Sequence, residues 1–249
     1  MRKPQGKVAI VTGASKGIGA SIATHLAAEG AAVVVNYATS KAGADRVVSA
    51  MATRGGKAIA VQANVAHTAE IERLFAATEH VVGRLDMLVN NAAIIEFRPR
   101  EGITEEHVYT PCNVHLLGPI FATQHAVQHC GSEGGSIINM RAAASRGPQP
   151  GGAVSSASTG ALESLTRACA NERGPHKIRV KAMRPGLVET EGARAAGVME
   201  SPERTYSTSR APCGRIGQPS DIAMVAVFLA SSDSGWITGE TLRVQGGVR

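Results

Sequence analysis

Short runs of β-branched and apolar residues alternate along this chain with longer segments whose apolar positions recur every three or four residues. Lys7–Thr12 (KVAIVT) is such a run; a glycine-rich turn follows, and Ile18–Ala28 then has helical spacing, so the opening reads strand, loop, helix. The alternation predicts further strands over Ala31–Asn36, Lys57–Val61, Asp86–Asn90, Ser136–Met140, Ile178–Met183 and Glu240–Gln245. Helices are predicted over Lys41–Arg54, Ala69–Val82, Glu105–His129, Ser156–Glu172 and Ser220–Ala230. Apolar strands regularly separated by amphipathic helices predict an α/β fold: one doubly wound parallel sheet of about seven strands, flanked by helices on both faces and connected right-handed.

No composition break divides residues 1–249, so a single domain is expected. The one long stretch without periodicity, residues 184–217, follows the carboxyl end of a predicted strand, where open α/β sheets bind ligands; it is expected to be an irregular substrate loop. The net charge of +6 comes from lysines and arginines spread along the chain, with no basic run interleaved with aromatics, which argues against a nucleic-acid partner. The longest apolar stretch, Ile222–Ala230, is too short to span a bilayer, and Met1–Pro4 leads into a strand with no signal-peptide core. Four scattered cysteines without a Cys-x-x-Cys pair fit reduced thiols and a cytoplasmic location. His125 and His129 are four apart on a predicted helix, but no third ligand accompanies them, so no metal is expected.

Candidate chemistry begins at Thr12-Gly13-Ala14-Ser15-Lys16-Gly17-Ile18-Gly19. Glycines between a strand and a helix permit a tight turn, close approach of the backbone to a pyrophosphate, and packing of a helix whose amino terminus attracts anions. Folds of this kind often carry an acidic residue about 20 residues further on to hold an unphosphorylated ribose. Here the second strand ends Asn36-Tyr37-Ala38-Thr39-Ser40-Lys41, with no carboxylate, while Ser40, Lys41 and Lys16 suit a 2′-phosphate. NADP(H) is therefore expected in preference to NAD(H).

These residues, with further segments in order, resemble the short-chain dehydrogenase/reductase family, in particular its glucose-dehydrogenase-like and oxoacyl-reductase-like branch. Thr12–Gly19 resembles its cofactor loop, with Gly13, Ser15, Lys16, Gly17, Ile18 and Gly19 as contacts. Asn90-Asn91-Ala92-Ala93 resembles its Asn-Asn-Ala-Gly segment, and Asn64-Val65 stands where the family has Asp-Val against adenine. Pro185, Gly186, Val188 and Thr190 resemble the loop that meets the nicotinamide, and Asn36, Tyr37 and Ser40 fall in the adenosine region. The resemblance implies a Rossmann-like sheet, a small-molecule substrate and a homotetramer.

The family reduces carbonyls by hydride transfer, with a tyrosine as proton donor in a Tyr-x-x-x-Lys motif, aided by a serine and an asparagine. The chain has only three tyrosines, Tyr37, Tyr109 and Tyr206. The literal match Tyr37-x-x-x-Lys41 lies in the adenosine region, and Tyr206-x-x-x-Arg210 lies in the 184–217 stretch. Flanking segments place Ser155 at the tyrosine position, Thr159 at the lysine, Ala142 at the serine and His115 at the asparagine. Asn113 lies two residues from His115, and Ser145 three from Ala142. A positioned general acid contributes about 10² to 10⁴ in rate and one oxyanion donor about 10² to 10³, so replacement of all four leaves ordinary carbonyl reduction very slow.

Ser155, His115 and Arg141 are the candidate catalytic residues of the vacated pocket: a histidine has an ordinary pKa of about 6.5, and an arginine holds oxyanions. The expected function is an NADP(H)-binding relative with carbonyl reductase activity lost or remodelled towards non-redox acid–base chemistry. Two alternatives stand beside it: an NADP-dependent oxidoreductase with an atypical proton donor, acting for example on imines, and a noncatalytic cofactor-binding subunit. Ile94, Ile95 and Phe97 are expected near the substrate.

Overall fold

Successive side chains of a strand point to opposite faces of its sheet, and the first strand is apolar on both, with Val8 and Ile10 on one side and Ala9 and Val11 on the other. Such a strand must be covered twice. The computed structural model describes residues 4–94, 97–141 and 151–248. It contains β1 (Val8–Val11), β2 (Ala32–Tyr37), β3 (Lys57–Gln62), β4 (Met87–Asn90), β5 (Gly135–Met140), β6 (Ile178–Pro185) and β7 (Thr241–Val244). All pair in parallel in the order β3-β2-β1-β4-β5-β6-β7. This is the Rossmann-like arrangement the patterning predicts. After β3 the chain returns to the opposite side of β1, which opens a crevice outside the carboxyl ends of β1 and β4.

Two cores result. Helices α1 (Gly17–Ala28) and α2 (Lys41–Ala52) cover one face together with a C-terminal helix, Pro219–Ala230. Helix α3 (Thr68–Val82), Ala122 and Ala126 of Gly118–His129, and Ala170 of Ala153–Arg173 cover the other. The predicted helix Glu105–His129 divides into α4 (Glu105–Cys112), a wider π turn (Asn113–Leu117) and α5 (Gly118–His129). Pro111 and Pro119 each withdraw an amide hydrogen from the ladder. Helix α6 (Ala153–Arg173) begins three residues earlier than the patterning indicates.

Residues 184–217 are not the irregular loop expected. Strand β6 runs on to Pro185; then come α7 (Glu191–Ala195), a 3-10 turn (Val198–Glu200) and α8 (Pro202–Arg210), before α9 (Pro219–Ala230). Both short helices are made by caps: Thr190 Oγ1 accepts from the Ala193 N–H at 3.1 Å, and Ser201 Oγ accepts from the Glu203 N–H at 3.3 Å ahead of Pro202. Helix α8 buries only Ser207, so it has no apolar stripe for a periodicity search to find. Tyr206 therefore lies on a helix, not in a loop.

Between β6 and α9 the side chain of Lys181 is fully buried, and its Nζ donates to Ser136 Oγ and to the Leu229 carbonyl, both at 2.8 Å. Burial, reinforced by the neighbouring Arg179 guanidinium, pushes its pKa down to about 6, so the amine is neutral at pH 7. Among the described residues no helix is long and apolar enough to cross a membrane.

Candidate cofactor cleft and active site

The turn between β1 and α1 is held by side chains from the ends of two neighbouring strands and by its own Thr12. Asn36, buried at the end of β2, accepts the Gly13 N–H on Oδ1 at 3.2 Å and donates from Nδ2 to the Ala63 carbonyl at 2.9 Å; its own carbonyl accepts the Ala14 N–H at 2.8 Å. Asn91, just past β4, donates from Nδ2 to the carbonyls of Thr12 and Gly13 at 2.8 and 3.2 Å. Thr12 Oγ1 accepts the N–H groups of Asn91 and Ala92 at 2.9 and 3.0 Å. Gly13 adopts φ +62°, and a Cβ there would lie 2.8 Å from Ala92 Cα; a Cβ on Gly19 would strike the Asn91 amide. The glycines are thus demanded by close approach of the 90–93 segment as well as by the turn.

The cradle is rigid and its floor is backbone. Helix α1 has Lys16 as N-cap, whose side chain makes no capping hydrogen bond, so the first N–H groups of the helix are open to an anion. One of them has a partner: the Gly17 N–H donates to Glu191 Oε2 of α7 at 3.0 Å. A carboxylate from the 184–217 segment therefore stands where the fold places a phosphate oxygen. A Cβ on Gly43 in α2 would lie 2.7 Å from Ser40 Oγ and 2.8 Å from the Ser15 carbonyl, which shows how closely Ser40 sits against the Ser15–Lys16 turn. Lys41 is occupied by Asp45 at 2.7 Å and Tyr37 is buried in the core, while Lys16, Thr39 and Ser40 are exposed at this corner.

Asn64 has its N–H donated to Glu70 Oε2 at 2.8 Å, and its Oδ1 accepts the Ala66 N–H at 3.1 Å. The hydrogen bond from the Asn64 N–H, then that from the His67 ring, keep the Glu70 carboxyl below its ordinary range. The Val65 carbonyl would lie 2.8 Å from a Cβ on Gly118, so the start of α5 is pressed onto this turn. On the far side of the cleft, Pro185, Gly186 and Val188 are buried; Gly186 N–H donates to the Val244 carbonyl at 2.9 Å, and Val188 bridges to Gly217. Thr190 caps α7, and Ala93 is exposed.

The predicted catalytic residues occupy different environments. His115, 5% exposed on the π turn, accepts the Ile94 N–H on Nε2 at 3.0 Å. The neutral ring then carries its proton on Nδ1, 3.2 Å from Ser158 Oγ, and Ser158 Oγ donates to the Ser155 carbonyl at 3.1 Å. Burial lowers the His115 pKa, and the Ile94 N–H points at the lone pair a second proton would need. The ring thus ties the 90–94 segment to α6. Thr159 is buried and donates to the Ser155 and Ser156 carbonyls at 2.8 and 3.1 Å. Arg141 is paired with α6: its Nη1 lies 2.6 Å from Glu163 Oε1. Ser155 lines a narrow pocket with Ile94, Arg98, His107 and Pro111. Ala142, Ser145 and Ile95 lie outside the described residues.

Several organising residues escape a sequence reading. Glu191, Glu163, Arg98 and His107 are polar residues outside the segments that carry the motifs. Thr12 stands in the loop motif, but its role as acceptor for the Asn91 and Ala92 N–H groups is set by the fold. His125 and His129 pack their rings against Phe75 at 5.4 and 5.5 Å. Among the described residues no group of three or more His, Cys, Asp or Glu is placed to hold a metal.

A parallel sheet with a glycine-rich β1–α1 turn at its crossover defines the Rossmann-like class, and comparison with known proteins narrows it. A family model described as enoyl-(acyl carrier protein) reductase matches residues 13–249. The chain is 51% identical over 249 residues to an uncharacterized oxidoreductase of Methylorubrum extorquens, covering 100% of both. It is 38% identical over 251 residues to a probable tetrahydroxynaphthalene reductase of Zymoseptoria tritici, covering 97% of this chain and 94% of that one. A short-chain dehydrogenase from Burkholderia cenocepacia, solved in complex with NADP, superposes with a TM-score of 0.90 at 32% identity and 98% coverage of each chain. The protein belongs to the short-chain dehydrogenase/reductase family.

Proposed function

We propose that this family member binds NADP(H) across the cleft and that its carbonyl reductase chemistry is lost or remodelled towards acid–base chemistry on a small molecule. The residues present fit the cofactor: Gly13 and Gly19 leave room that a Cβ would fill, and the open amino terminus of α1 suits a diphosphate. Lys16 and Ser40, with no carboxylate in residues 36–41, suit a 2′-phosphate. When bound, that cofactor supplies a hydride donor or acceptor.

The observation that carries the reading is the state of the α6 face. Thr159 spends its hydroxyl on backbone carbonyls and carries no charge to depress a neighbouring pKa. His115 has both ring nitrogens engaged. Ser155 opens onto the pocket, but its hydroxyl is far less acidic than a phenol activated by a lysine. The same pocket is lined by His107 of α4, near Ser155, an imidazole that can give or take a proton. Among the described residues of this face, none supplies the lysine-activated phenol that the family uses to protonate an alkoxide.

A second reading is favoured by the NADP-bound structural neighbour and the oxidoreductase relative. In it the chain is an NADP-dependent oxidoreductase whose proton comes from His107 through water, on a substrate such as an imine that needs little help from an acid. Titration with NADPH and NADH, followed by turnover on ketone, alcohol and imine panels, separates the two. The measurement uses the natural chain and the triple variant Ser155→Tyr, Thr159→Lys, Ala142→Ser. We expect NADPH binding, negligible ketone reduction by the natural chain, and a gain in the triple variant. Fast native ketone reduction sinks the first reading; imine turnover alone selects the second. Absence of nucleotide binding sinks both.

A further inference from the structure

The turn after β3 spends all but one of the polar groups of Asn64 on itself. The Asn64 N–H donates to Glu70 Oε2 at 2.8 Å, its carbonyl accepts the His67 N–H at 3.0 Å, and its Oδ1 folds back to accept the Ala66 N–H at 3.1 Å. The last of these is an Asx turn, a side-chain oxygen bonded to the backbone two residues on. Only the oxygen end of an amide accepts, so the Ala66 N–H fixes which way the side chain is turned. Nδ2 has no partner among the described residues, and Asn64 is half-buried. What this side chain offers a ligand is therefore a donor.

The turn lies along the mouth of the crevice. The Ala63 N–H donates to the Tyr37 carbonyl at 2.9 Å, and Asn36 links the Ala63 carbonyl at 2.9 Å to the Gly13 N–H at 3.2 Å, which seats residue 63 on the end of β2 beside the glycine turn. Two residues on, Val65 is pressed against Gly118 at the start of α5, the helix that packs on β4. Asn64 stands between these two anchors. With the diphosphate at the amino terminus of α1 and the ribose at the end of β2 beside Ser40 and Lys16, the base joined to that ribose reaches this turn. The edge of a purine remote from its ribose carries N1 and the 6-substituent, a donor amino group in adenine and an acceptor oxygen in a 6-oxopurine.

We propose that Asn64 meets the base of the cofactor as a hydrogen-bond donor, so that this subsite takes a 6-oxopurine dinucleotide as readily as the adenine one. The inference rests on the NADP(H) reading above. Adenine is met through a ring nitrogen, but its amino group finds no acceptor in an amide whose oxygen is spent on the turn. A carboxylate at position 64 would reverse this preference. It would also set a second negative charge beside Glu70, whose two oxygens already hold the Asn64 N–H and the His67 ring, each at 2.8 Å. The amide keeps the turn intact without selecting adenine.

Fluorescence titration with NADPH and with its deamino analogue, in which hypoxanthine replaces adenine, tests this in three proteins. The natural chain should bind the analogue as tightly as NADPH, within twofold, or more tightly. Asn64→Asp keeps one oxygen for the Ala66 N–H and turns the other outward; the ratio of the two dissociation constants should move about tenfold towards NADPH, the scale of a hydrogen bond to a charged acceptor. Asn64→Ser keeps an oxygen for the turn and presents no N–H, and should weaken the analogue about two- to tenfold, the scale of a neutral hydrogen bond. The ratio is insensitive to a general loss of cofactor affinity, so it separates contact with the base from damage to the turn. A natural chain that prefers NADPH by more than twofold, an unmoved ratio in Asn64→Asp, or undiminished binding of the analogue by Asn64→Ser would each overturn the assignment and leave the cofactor reading standing. Binding of neither nucleotide by the natural chain would overturn that reading, and this inference with it.

Discussion

Glu191 places a carboxylate on the Gly17 N–H at 3.0 Å, so a diphosphate docking at the amino terminus of α1 must displace it. A carboxylate in the first turn of a helix is worth about 0.3–1 kcal/mol at a surface site. Glu191→Ala removes that competitor, and the same change abolishes repulsion between the carboxylate and the incoming phosphates. NADPH should then bind about two- to fivefold more tightly. The unliganded protein should move the opposite way, losing about 1–4 °C in Tm because α1 loses a stabilising charge. Glu191→Gln should fall between, since its amide oxygen still accepts but carries no charge. Fluorescence titration of NADPH and a thermal melt without nucleotide read the two effects, and both should shrink at high salt. Unchanged or weaker NADPH binding in Glu191→Ala would refute displacement. An affinity gain without loss of apo stability would show that the contact does not hold α7 against the turn.

Three further outcomes follow from the structure. Thr12→Val leaves the Asn91 and Ala92 N–H groups without their acceptor, at about 1–3 kcal/mol for each buried donor, and should lower the Tm by several degrees in a thermal melt; an unchanged Tm would mean that water replaces the hydroxyl. Lys181 has a folded pKa near 6 against an ordinary 10.5, so the unfolded chain binds the extra proton between those values, and stability from this group is lost as pH falls through that window. Denaturant unfolding of Lys181→Met should therefore show a flatter rise in stability from pH 6 to 10; an identical slope would refute a neutral buried amine. Gly13→Ala adds a Cβ 2.8 Å from Ala92 Cα at φ +62°, and should weaken nucleotide binding and lower the Tm together; normal behaviour in both assays would show that the 90–93 segment yields.

Patterning alone was sufficient for the strands, because β1, β2, β4 and β5 are apolar on both faces and nothing but a doubly covered sheet satisfies them. The glycine turn was equally legible, since its spacing is set by backbone geometry local to a dozen residues. Helix α8 was invisible because its stabilisation comes from a serine cap and a proline, without an apolar stripe. The amino acids at positions 115, 155 and 159 were readable in order, and so was the lack of any tyrosine between Tyr109 and Tyr206. Their surroundings were not. That His115 is tied by Ile94 and Ser158, that Arg141 pairs with Glu163, and that Glu191 reaches the turn 174 residues earlier in the chain all depend on contacts between distant segments. Composition and period constrain which faces are buried; only the packed fold decides which polar groups share a site and which are spent on each other.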